Sequence, residues 1–535
     1  KNIPFETFFK DLSENLSGET LLESVLATLN NDQAWNLPGA DKQRNLINSF
    51  AKVYDEALFK GETMGIYFDK KHYKGLEVCF NATEFYRGLS FRFQTDGSND
   101  KRQLIGNNYL WFDNHQLEVF KKIKLADILA ASSCFPMGFE PIIYPEDFSY
   151  SDAENKTLST KQLRSAMHYE NYNEEKFSMD DVPPLTSIGF MDGGITDNQG
   201  LSSLMLADKK RRNRTKSNPF DLIIVTDVAS YFMDRYEPPR FNENKGWRES
   251  SLGHYSMIPE NLLKTIRTWQ FVTLSIAIAL VLVACLVPEV WVRIPATAIA
   301  ASAFTTYLSI LLTKTSKLGR KIIAELKSFD FKRFLYANFK LDRYFSGSII
   351  DKLVGYLKLT KLGTFEQMIK ARISSVMIMV TDVNLKHVRR LIYEKFYHDP
   401  CWENRRVPNF IYELSSHNQA TRKSRFNNNG RLKWTATEAD KQLLLDGLES
   451  LHTIAEEARV SGTALWFDST QTKNETLKKT ITAGQFSTCA NLLEYVISLE
   501  RKKVRLDTAY QNEFELIKAR LEADLIRFKA EPYFL

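Results

Sequence analysis

Asp192 and the two glycines that follow it form the part of the sequence whose residue types could carry out a reaction. The short apolar stretch at 187–191 predicts a strand that ends at this carboxylate. Gly193 and Gly194 allow a sharp turn and let other groups approach without a Cβ in the way. A carboxylate held in this way could accept the proton of a serine hydroxyl. Asp192 is therefore a candidate general base, and Gly193, Gly194 and Asn198 form its candidate supporting turn.

Other segments accompany the Asp-Gly-Gly turn, which on its own is more often a plain turn than a catalytic one. Two lie upstream: Phe-Asn-Ala-Thr-Glu at 80–84, and the stretch at 124–141 that contains Ala-Ala-Ser-Ser-Cys-Phe-Pro. One lies downstream, Thr-Asp-Val at 226–228. In this order they resemble the patatin-like phospholipase family, over roughly residues 70–230. The chain departs from the family pattern at Cys134 and Phe135, where small residues are expected, and at 199–200, where a proline is common.

The resemblance implies a Ser-Asp dyad that hydrolyses lipid acyl esters, with Asp192 as the base. It implies no histidine, no cofactor and no metal. It also implies two parts that precede the matched region in the family, a Gly-rich oxyanion loop and a Gly-x-Ser-x-Gly nucleophile elbow. Neither part is found in the chain. The candidate serines lack flanking glycines at the spacing that an elbow requires; these serines are Ser90, Ser132, Ser133 and Ser461.

Two explanations of the absent nucleophile remain open. The serine is supplied by a segment upstream of this chain, which the intact Asp192-Gly-Gly sequence and the start at Lys1 without a methionine both favour. Alternatively, the protein is a catalytically dead, membrane-anchored scaffold or regulatory protein on a patatin-like fold. A Gly-x-Ser-x-Gly sequence in the upstream coding region would distinguish the two.

Strands and helices alternate around the candidate base. Helical spacing predicts helices within 1–62, at 125–131 and at 201–212, and strands are predicted at 75–82 and 88–93. The β-branched run at 221–228 predicts a fully buried central strand. The polar stretch at 149–181 predicts a long loop, for which a lid over the site and a passive surface loop are equally good hypotheses.

Two uncharged stretches, at 271–287 and 294–312, are each about as long as a bilayer-spanning helix. A break at 288–293 separates them and predicts a hairpin. Basic residues flank its open end at Lys264, Arg267, Lys314, Lys317, Arg320 and Lys321, which predicts that both soluble parts lie in the cytoplasm. The alternative is a buried helical hairpin inside a soluble core.

The second half of the chain predicts strands at 373–380 and 408–414 and a short strand at 463–467. Helices are predicted at 437–459, 474–502 and 508–529. The basic, Asn-rich stretch at 417–431 predicts a loop, either solvated or in contact with anionic lipid head groups.

Composition limits the partners. The net charge of +6 and the pI near 8.7 are compatible with an anionic membrane surface, and the absence of nucleic-acid-binding motifs argues against nucleic acid. The five cysteines are scattered and contain no Cys-x-x-Cys pair, which argues against a disulfide framework or a structural zinc site. The expected partners are a membrane lipid substrate, the membrane, and the upstream segment or a second copy of the chain.

The sequence therefore predicts an α/β fold with a patatin-type three-layer sheet and flanking helices, a transmembrane helical hairpin and a helical C-terminal region. The expected domains are a catalytic domain lacking its nucleophile segment at 1–234, a linker at 235–263, the hairpin at 264–321, a mixed α/β continuation at 322–435, and a mainly helical region at 436–535.

Overall fold

A computed structural model describes most of the chain. The described residues are 18–36, 41–69, 76–95, 105–136, 138–151, 157–169, 187–213, 218–228, 245–286, 289–316, 358–427, 434–461 and 469–534, with short gaps at 113, 252, 255–257 and 505–507 and a few further single positions. The chain forms two compact units, one made of residues 1–234 and 377–535 and the other of residues 235–376. The structure is mixed α and β, rich in helix, and most of its strand pairs are antiparallel.

The strand that ends at Asp192 lies inside an antiparallel sheet of four strands. The order is β2-β1-β7-β5, where β1 is Cys79–Glu84, β2 is Leu89–Gln94, β5 is Ile142–Tyr144 and β7 is Ile188–Asp192. The predicted strands at 75–82, 88–93 and 187–191 are thus confirmed in type, within a few residues at their ends. A second sheet joins β3 (Ile105–Gly106), β4 (Leu110–Phe112) and β6 (Met167–Tyr169).

Aromatic side chains fill the space between these two sheets and the helices beside them. Phe91 and Phe93 of β2 and Phe190 of β7 pack against one another at ring-centroid distances of 4.8–5.5 Å. The helices that pack around this core are α1 (Gly18–Asn30), α2 (Leu46–Tyr54), α3 (Leu117–Lys121) and α4 (Leu125–Ser133). Residues of α4 are among the most buried in the chain, so this helix is fixed against the sheet that carries Asp192.

The predicted loop at 149–181 is wrong for its first part. Residues Thr160–Ala166 form helix α5, which begins with a capping box between Ser159 and Gln162. Its side chains Leu163 and Ala166 are fully buried, and the following strand β6 pairs with β4. The polar composition of this stretch concealed the two buried apolar residues, Leu163 and Ala166, that attach the helix to the core. Residues 170–186 lie outside the described residues.

The run at 221–228 forms β8 (Ile223–Asp227), but the prediction of a fully buried strand is wrong. Its burial alternates, and it pairs in parallel with only one described strand, β9 (Arg406–Phe410). One face of this pair packs on α7 (Leu201–Arg212) and α11 (Leu385–His398) through Ile223 and Val225. The predicted helix at 201–212 is confirmed at both ends.

The remaining helices of this unit follow β9. They are α12 (Ser416–Asn427), α13 (Glu438–Leu445), α14 (Glu449–Ser461), α15 (Ser469–Lys473), α16 (Thr476–Arg501) and α17 (Gln511–Ala530). The last two confirm the predicted helices at 474–502 and 508–529. The single helix predicted at 437–459 is two helices, which separate at Gly447 where φ is +67°. The predicted strand at 463–467 lies almost wholly outside the described residues.

Helix α12 replaces the described part of the loop predicted at 417–431, and residues 428–431 lie outside the described residues. Arg422 and Phe426, four residues apart, are both buried on one face of the helix. The Arg422 guanidinium lies 3.5 Å from Glu413 and 3.4 Å from Glu494, so it belongs to an internal ion-pair cluster. This arginine is therefore not placed to contact lipid head groups.

The second unit contains two long apolar helices, α8 (Ile258–Leu286) and α9 (Val290–Thr315), which pack against each other. Residues Lys264–Leu286 and Pro295–Leu312 are long and apolar enough to cross a membrane, so both are candidate membrane-spanning helices. Helix α10 (Leu362–Ile378) and the π-helical turn Met379–Asn384 replace the strand predicted at 373–380. Ile369, Ile373 and Val376 fit a helical period, and a short apolar run alone does not distinguish the two structures.

Candidate active site

Asp192 is the last residue of β7, and its backbone is fixed on both sides. On one side it pairs with Ala82 of β1, and its carbonyl oxygen accepts a hydrogen bond of 2.8 Å from Thr83 Oγ1. On the other side its N–H donates to the carbonyl of Cys134 over 3.0 Å, just past the end of α4. The segments at 80–84 and 124–141, which the sequence brought together by resemblance, are thus the two neighbours of the candidate base.

The Asp192 carboxylate is half-buried, and its two oxygens are in different environments. Oδ1 accepts a hydrogen bond of 2.6 Å from the Gly194 N–H. Oδ2 receives no hydrogen bond from any residue that the structure describes. Burial raises the pKa of this carboxyl above its usual value, and the Gly194 hydrogen bond opposes the shift. The group thus has one oxygen fixed in orientation and one available to take a proton.

The two glycines are required by close approach. A Cβ on Gly193 would lie 2.3 Å from the carbonyl oxygen of Asn81, which is backbone and has little freedom to move. A Cβ on Gly194 would lie 2.7 Å from Asn198 Oδ1 and 2.9 Å from Asp192 Oδ1. The Asn198 side chain therefore lies against the same turn that orients the carboxylate. The turn continues into the short helix α6 (Gly194–Asp197).

We expect Gly193→Ala to lower the free energy of unfolding by about 1–3 kcal/mol, because the added methyl overpacks a site with no room to relax. Urea denaturation of the detergent-solubilised chain measures this. Gly138→Ala is the matched control, since the nearest atom to its added Cβ is 3.7 Å away, an ordinary contact. Equal denaturation midpoints for the two variants would contradict the steric argument.

Ser203 and Asp197, close to this turn, lie within hydrogen-bond distance of each other. Ser203 Oγ is 3.0 Å from Asp197 Oδ2 and 2.9 Å from Asn81 Oδ1, and it also accepts from Arg92 Nε at 2.8 Å. Asp197 accepts the backbone N–H groups of Ser202 and Ser203, each at 3.0 Å, at the start of α7. Both side chains are buried. This pair therefore caps a helix and does not present a nucleophile to a substrate.

Among the serines considered from the sequence, Ser90, Ser132 and Ser133 make no hydrogen bond to the Asp192 carboxylate. Ser133 Oγ donates to the carbonyl of Leu129 within α4, and the backbone carbonyl of Ser132 accepts from Gly193 N–H. Ser90 lies on β2 with a buried hydroxyl, and Ser461 is the last residue of α14. The hydroxyl that would complete a Ser-Asp dyad is thus not identified among the described residues.

The sequence singled out Asp227 only as part of Thr-Asp-Val, and its buried ion pair with Arg389 was not predicted. Asp227, at the end of β8, accepts hydrogen bonds at Oδ2 from Gln199 at 3.1 Å and from Tyr393 at 3.2 Å. The same oxygen lies 3.3 Å from the Arg389 guanidinium. Arg389 and Tyr393 are on α11, more than 160 residues further along the chain, so no local pattern could have paired them with Asp227. This cluster ties the residues that follow α6 to the C-terminal part of the unit.

Comparisons of the chain with protein-family models, with curated proteins and with solved structures found no match.

Proposed function

We propose that this chain carries the aspartate of the Ser-Asp dyad of a patatin-like serine lipid acyl hydrolase. Asp192 is the general base, and the serine is supplied by a segment outside these 535 residues. The observation that carries the proposal is the state of the Asp192 carboxylate. One oxygen is oriented by Gly194 N–H, and the other receives no hydrogen bond from the described residues, in a side chain that is half-buried. Asp197, which caps α7, has both of its carboxylate oxygens occupied instead.

The proposed reaction is phospholipase A-like hydrolysis of a carboxylic ester. Asp192 takes the proton of the serine hydroxyl while the serine oxygen bonds to the acyl carbonyl carbon. The tetrahedral intermediate breaks the ester bond, and the leaving alcohol oxygen takes the proton back from Asp192. A water molecule, deprotonated by the same carboxylate, then releases the fatty acid and restores the serine. The oxyanion donors belong to the same outside segment as the serine, and the reaction implies no metal or cofactor.

A patatin-type architecture for the first unit belongs to this proposal. It is supported by the proximity, in the folded chain, of the segments that match the family pattern. The strand at 80–84, the end of α4 and the Asp-Gly-Gly turn are hydrogen-bonded neighbours, although more than 100 residues separate the first from the last. The segment at 226–228 joins them through the Gln199 amide. Four motifs selected by resemblance thus converge on one place in the fold.

We propose that α8 and α9 form a membrane hairpin, as their packing supports. The side chains buried between them are small, chiefly Ala277, Ala284, Ala296 and Ala300. Large apolar side chains face outward instead, and more than half of Phe271, Ile278 and Leu312 is exposed. Close contact through small residues with apolar side chains outside is typical of helices packed in lipid, whereas a soluble core buries its large residues. The basic flanks favour a cytoplasmic location for the soluble parts.

Labelling with a fluorophosphonate tests the proposed reaction. The chain alone is expected to be inactive on phospholipid and p-nitrophenyl esters, and not to label. The version extended upstream through its own reading frame is expected to label on a serine outside residues 1–535. Labelling of a serine inside residues 1–535 would refute the assignment, and failure of the extended protein to label would favour the scaffold alternative.

Alkaline carbonate extraction tests the membrane location. We expect the intact chain to remain in the membrane pellet, because two apolar helices in lipid are not released by the loss of electrostatic contacts. Deleting residues 269–314 is expected to move the protein to the soluble fraction. Complete solubility of the intact chain without detergent would contradict the membrane hairpin.

A further inference from the structure

Helix α10 has an exposed apolar face. Ile369, Ile373 and Val376 follow one another at intervals of four and three residues, so they lie on the same side of the helix. Their side chains are 37%, 53% and 55% exposed. Thr364 and Gln367, on the opposite side, are half-buried, so the helix turns its polar side toward the protein. An amphipathic helix of a soluble domain does the reverse, and this apolar face therefore lacks an apolar partner.

Basic side chains border the apolar face on both sides. At about 3.6 residues per turn, Lys370 lies on one side of the face and Arg372 on the other. Lys361 comes just before the helix, and all three side chains are exposed. One carboxylate opposes them, because Glu366 lies 2.7 Å from Lys370 Nζ and 3.4 Å from the Arg248 guanidinium. The border as a whole is therefore cationic.

The N-terminus of α10 is attached to the segment that leads into the hairpin. Leu362 N–H donates to the Ser250 carbonyl over 2.8 Å, and a Cβ on Gly253 would lie 2.8 Å from the Lys358 carbonyl oxygen. Helix α8 begins at Ile258, five residues after this contact, which is at most about 19 Å along the chain. Helix α10 thus starts near the open end of the hairpin, where the candidate membrane span begins.

A bilayer surface suits the apolar face better than a second protein does. A stable protein interface buries about 800 Å² per partner, more than three partly exposed aliphatic side chains supply. A helix whose apolar face is bordered by lysine and arginine lies in the plane of a bilayer, with its cations on anionic head groups. Trp247, beside the N-terminus of α10 and 62% exposed, is a residue type enriched at the depth of the head groups.

We propose that α10 lies on the membrane surface at the open end of the hairpin, with Ile369, Ile373 and Val376 inserted into an anionic leaflet. This inference rests on the proposed membrane location of α8 and α9, and it does not depend on the proposed hydrolysis. It adds a second contact between the 235–376 unit and lipid, whose strength depends on the charge of the head groups.

Spin-label EPR of the full chain in lipid nanodiscs measures this contact at single positions. A nitroxide on a cysteine collides with oxygen, which concentrates in lipid, and with a nickel chelate that stays in water. Lipid contact gives frequent collisions with oxygen alone, water contact gives frequent collisions with nickel, and burial in protein gives few of either. The discs hold equal amounts of phosphatidylcholine and phosphatidylglycerol, and the exposed cysteines Cys79, Cys285 and Cys401 are replaced with serine.

Ile373→Cys places the label on the apolar face, and Ser375→Cys, on an exposed position of the polar side, is the matched control. We expect at least about fivefold fewer nickel collisions at 373 than at 375, because the apolar face of such a helix lies below the head groups. Val376→Cys is expected to repeat the result, which guards against a local effect of the first substitution. Arg372→Gln, or discs of phosphatidylcholine alone, should raise nickel collisions at 373, since the attraction to anionic lipid is weakened.

Leu282→Cys, on a 55% exposed leucine of α8, reports on the hairpin separately. Lipid contact at 282 with water contact at 373 and 376 overturns the surface helix and leaves the hairpin standing. Lipid contact at 373 without lipid contact at 282 supports the surface helix and refutes the hairpin. Few collisions of either kind at 373 and 376 assign the apolar face to a protein partner, such as a second copy, and overturn the proposal. Equal nickel collisions in neutral and anionic discs would refute the requirement for an anionic leaflet.

Discussion

Replacing Asp192 with asparagine is expected to lower kcat/KM of the upstream-extended protein by about 10²–10⁴-fold, the usual contribution of a positioned general base. The amide oxygen of asparagine can still accept the Gly194 N–H bond, so the turn should keep its geometry. The amide nitrogen cannot take a proton from a serine. Ester hydrolysis in mixed micelles gives the rate, and circular dichroism with thermal unfolding gives the fold.

Asp197→Asn is the matched control for this prediction. It makes the same chemical change five residues away, in a carboxylate that caps α7 through Ser202 and Ser203. We expect the opposite pattern, with stability lowered by about 0.5–2 kcal/mol and catalysis by the folded protein retained. Asp192→Asn with full activity, or Asp197→Asn with the larger loss of activity in a folded protein, would remove Asp192 from the mechanism.

The acid limb of the pH profile offers a further check on the same carboxyl. Its base function requires the ionised form, so the rate falls as the pH drops through the pKa of Asp192. Because burial raises that pKa, the fall should begin above the pH at which an exposed aspartate protonates. This property belongs to the position of Asp192 at the end of β7, half-buried beside α4, and not to the Asp-Gly-Gly sequence itself.

Local patterns predicted the parts of the fold that are determined locally. Helix α7 occupies the predicted range 201–212, and β7 ends at Asp192, because apolar spacing and the glycines that follow act within a few residues. The sequence predicted interruptions and boundaries of helices less well. A helix was predicted across Gly447, and polar composition concealed the buried Leu163 of α5.

Long-range packing determined what the sequence could not predict. Apolar β-branched residues are found both in a fully buried strand and in one that is covered on a single face. Whether Ile224 of β8 is covered therefore depends on the elements packed beside it, which the strand's own sequence does not determine. The stretch at 373–380 is apolar enough for either a strand or a helix, and it became helical as part of α10. The candidate base was found from its own turn and from the resemblance. The charge pair that anchors the turn to the C-terminal helices joins residues from opposite halves of the chain.

That charge pair leads to the second large expected effect, in Arg389→Met. Arg389 and Asp227 each expose only 2% of their side chains, and their closest atoms are 3.3 Å apart. Removing the guanidinium breaks this buried ion pair, and breaking a buried pair by removing one partner typically costs about 3–5 kcal/mol. We expect a loss of that size in the free energy of unfolding from urea denaturation. Because Asp227 also holds Gln199, the extended enzyme should lose activity under conditions where the variant is still folded.

A double variant and a surface pair distinguish this mechanism from a general loss of packing. Asp227→Asn combined with Arg389→Met removes both charges, and most of the lost stability should return, since an uncharged buried pair carries no unpaired ion. Arg520→Met breaks an ion pair with Asp524 in which the arginine is 79% exposed, so its cost should stay below about 1 kcal/mol. If Arg389→Met costs no more than Arg520→Met, Asp227 has enough hydration or other partners to hold its charge alone. The link between the Asp192 turn and α11 would then contribute nothing to the stability of the unit.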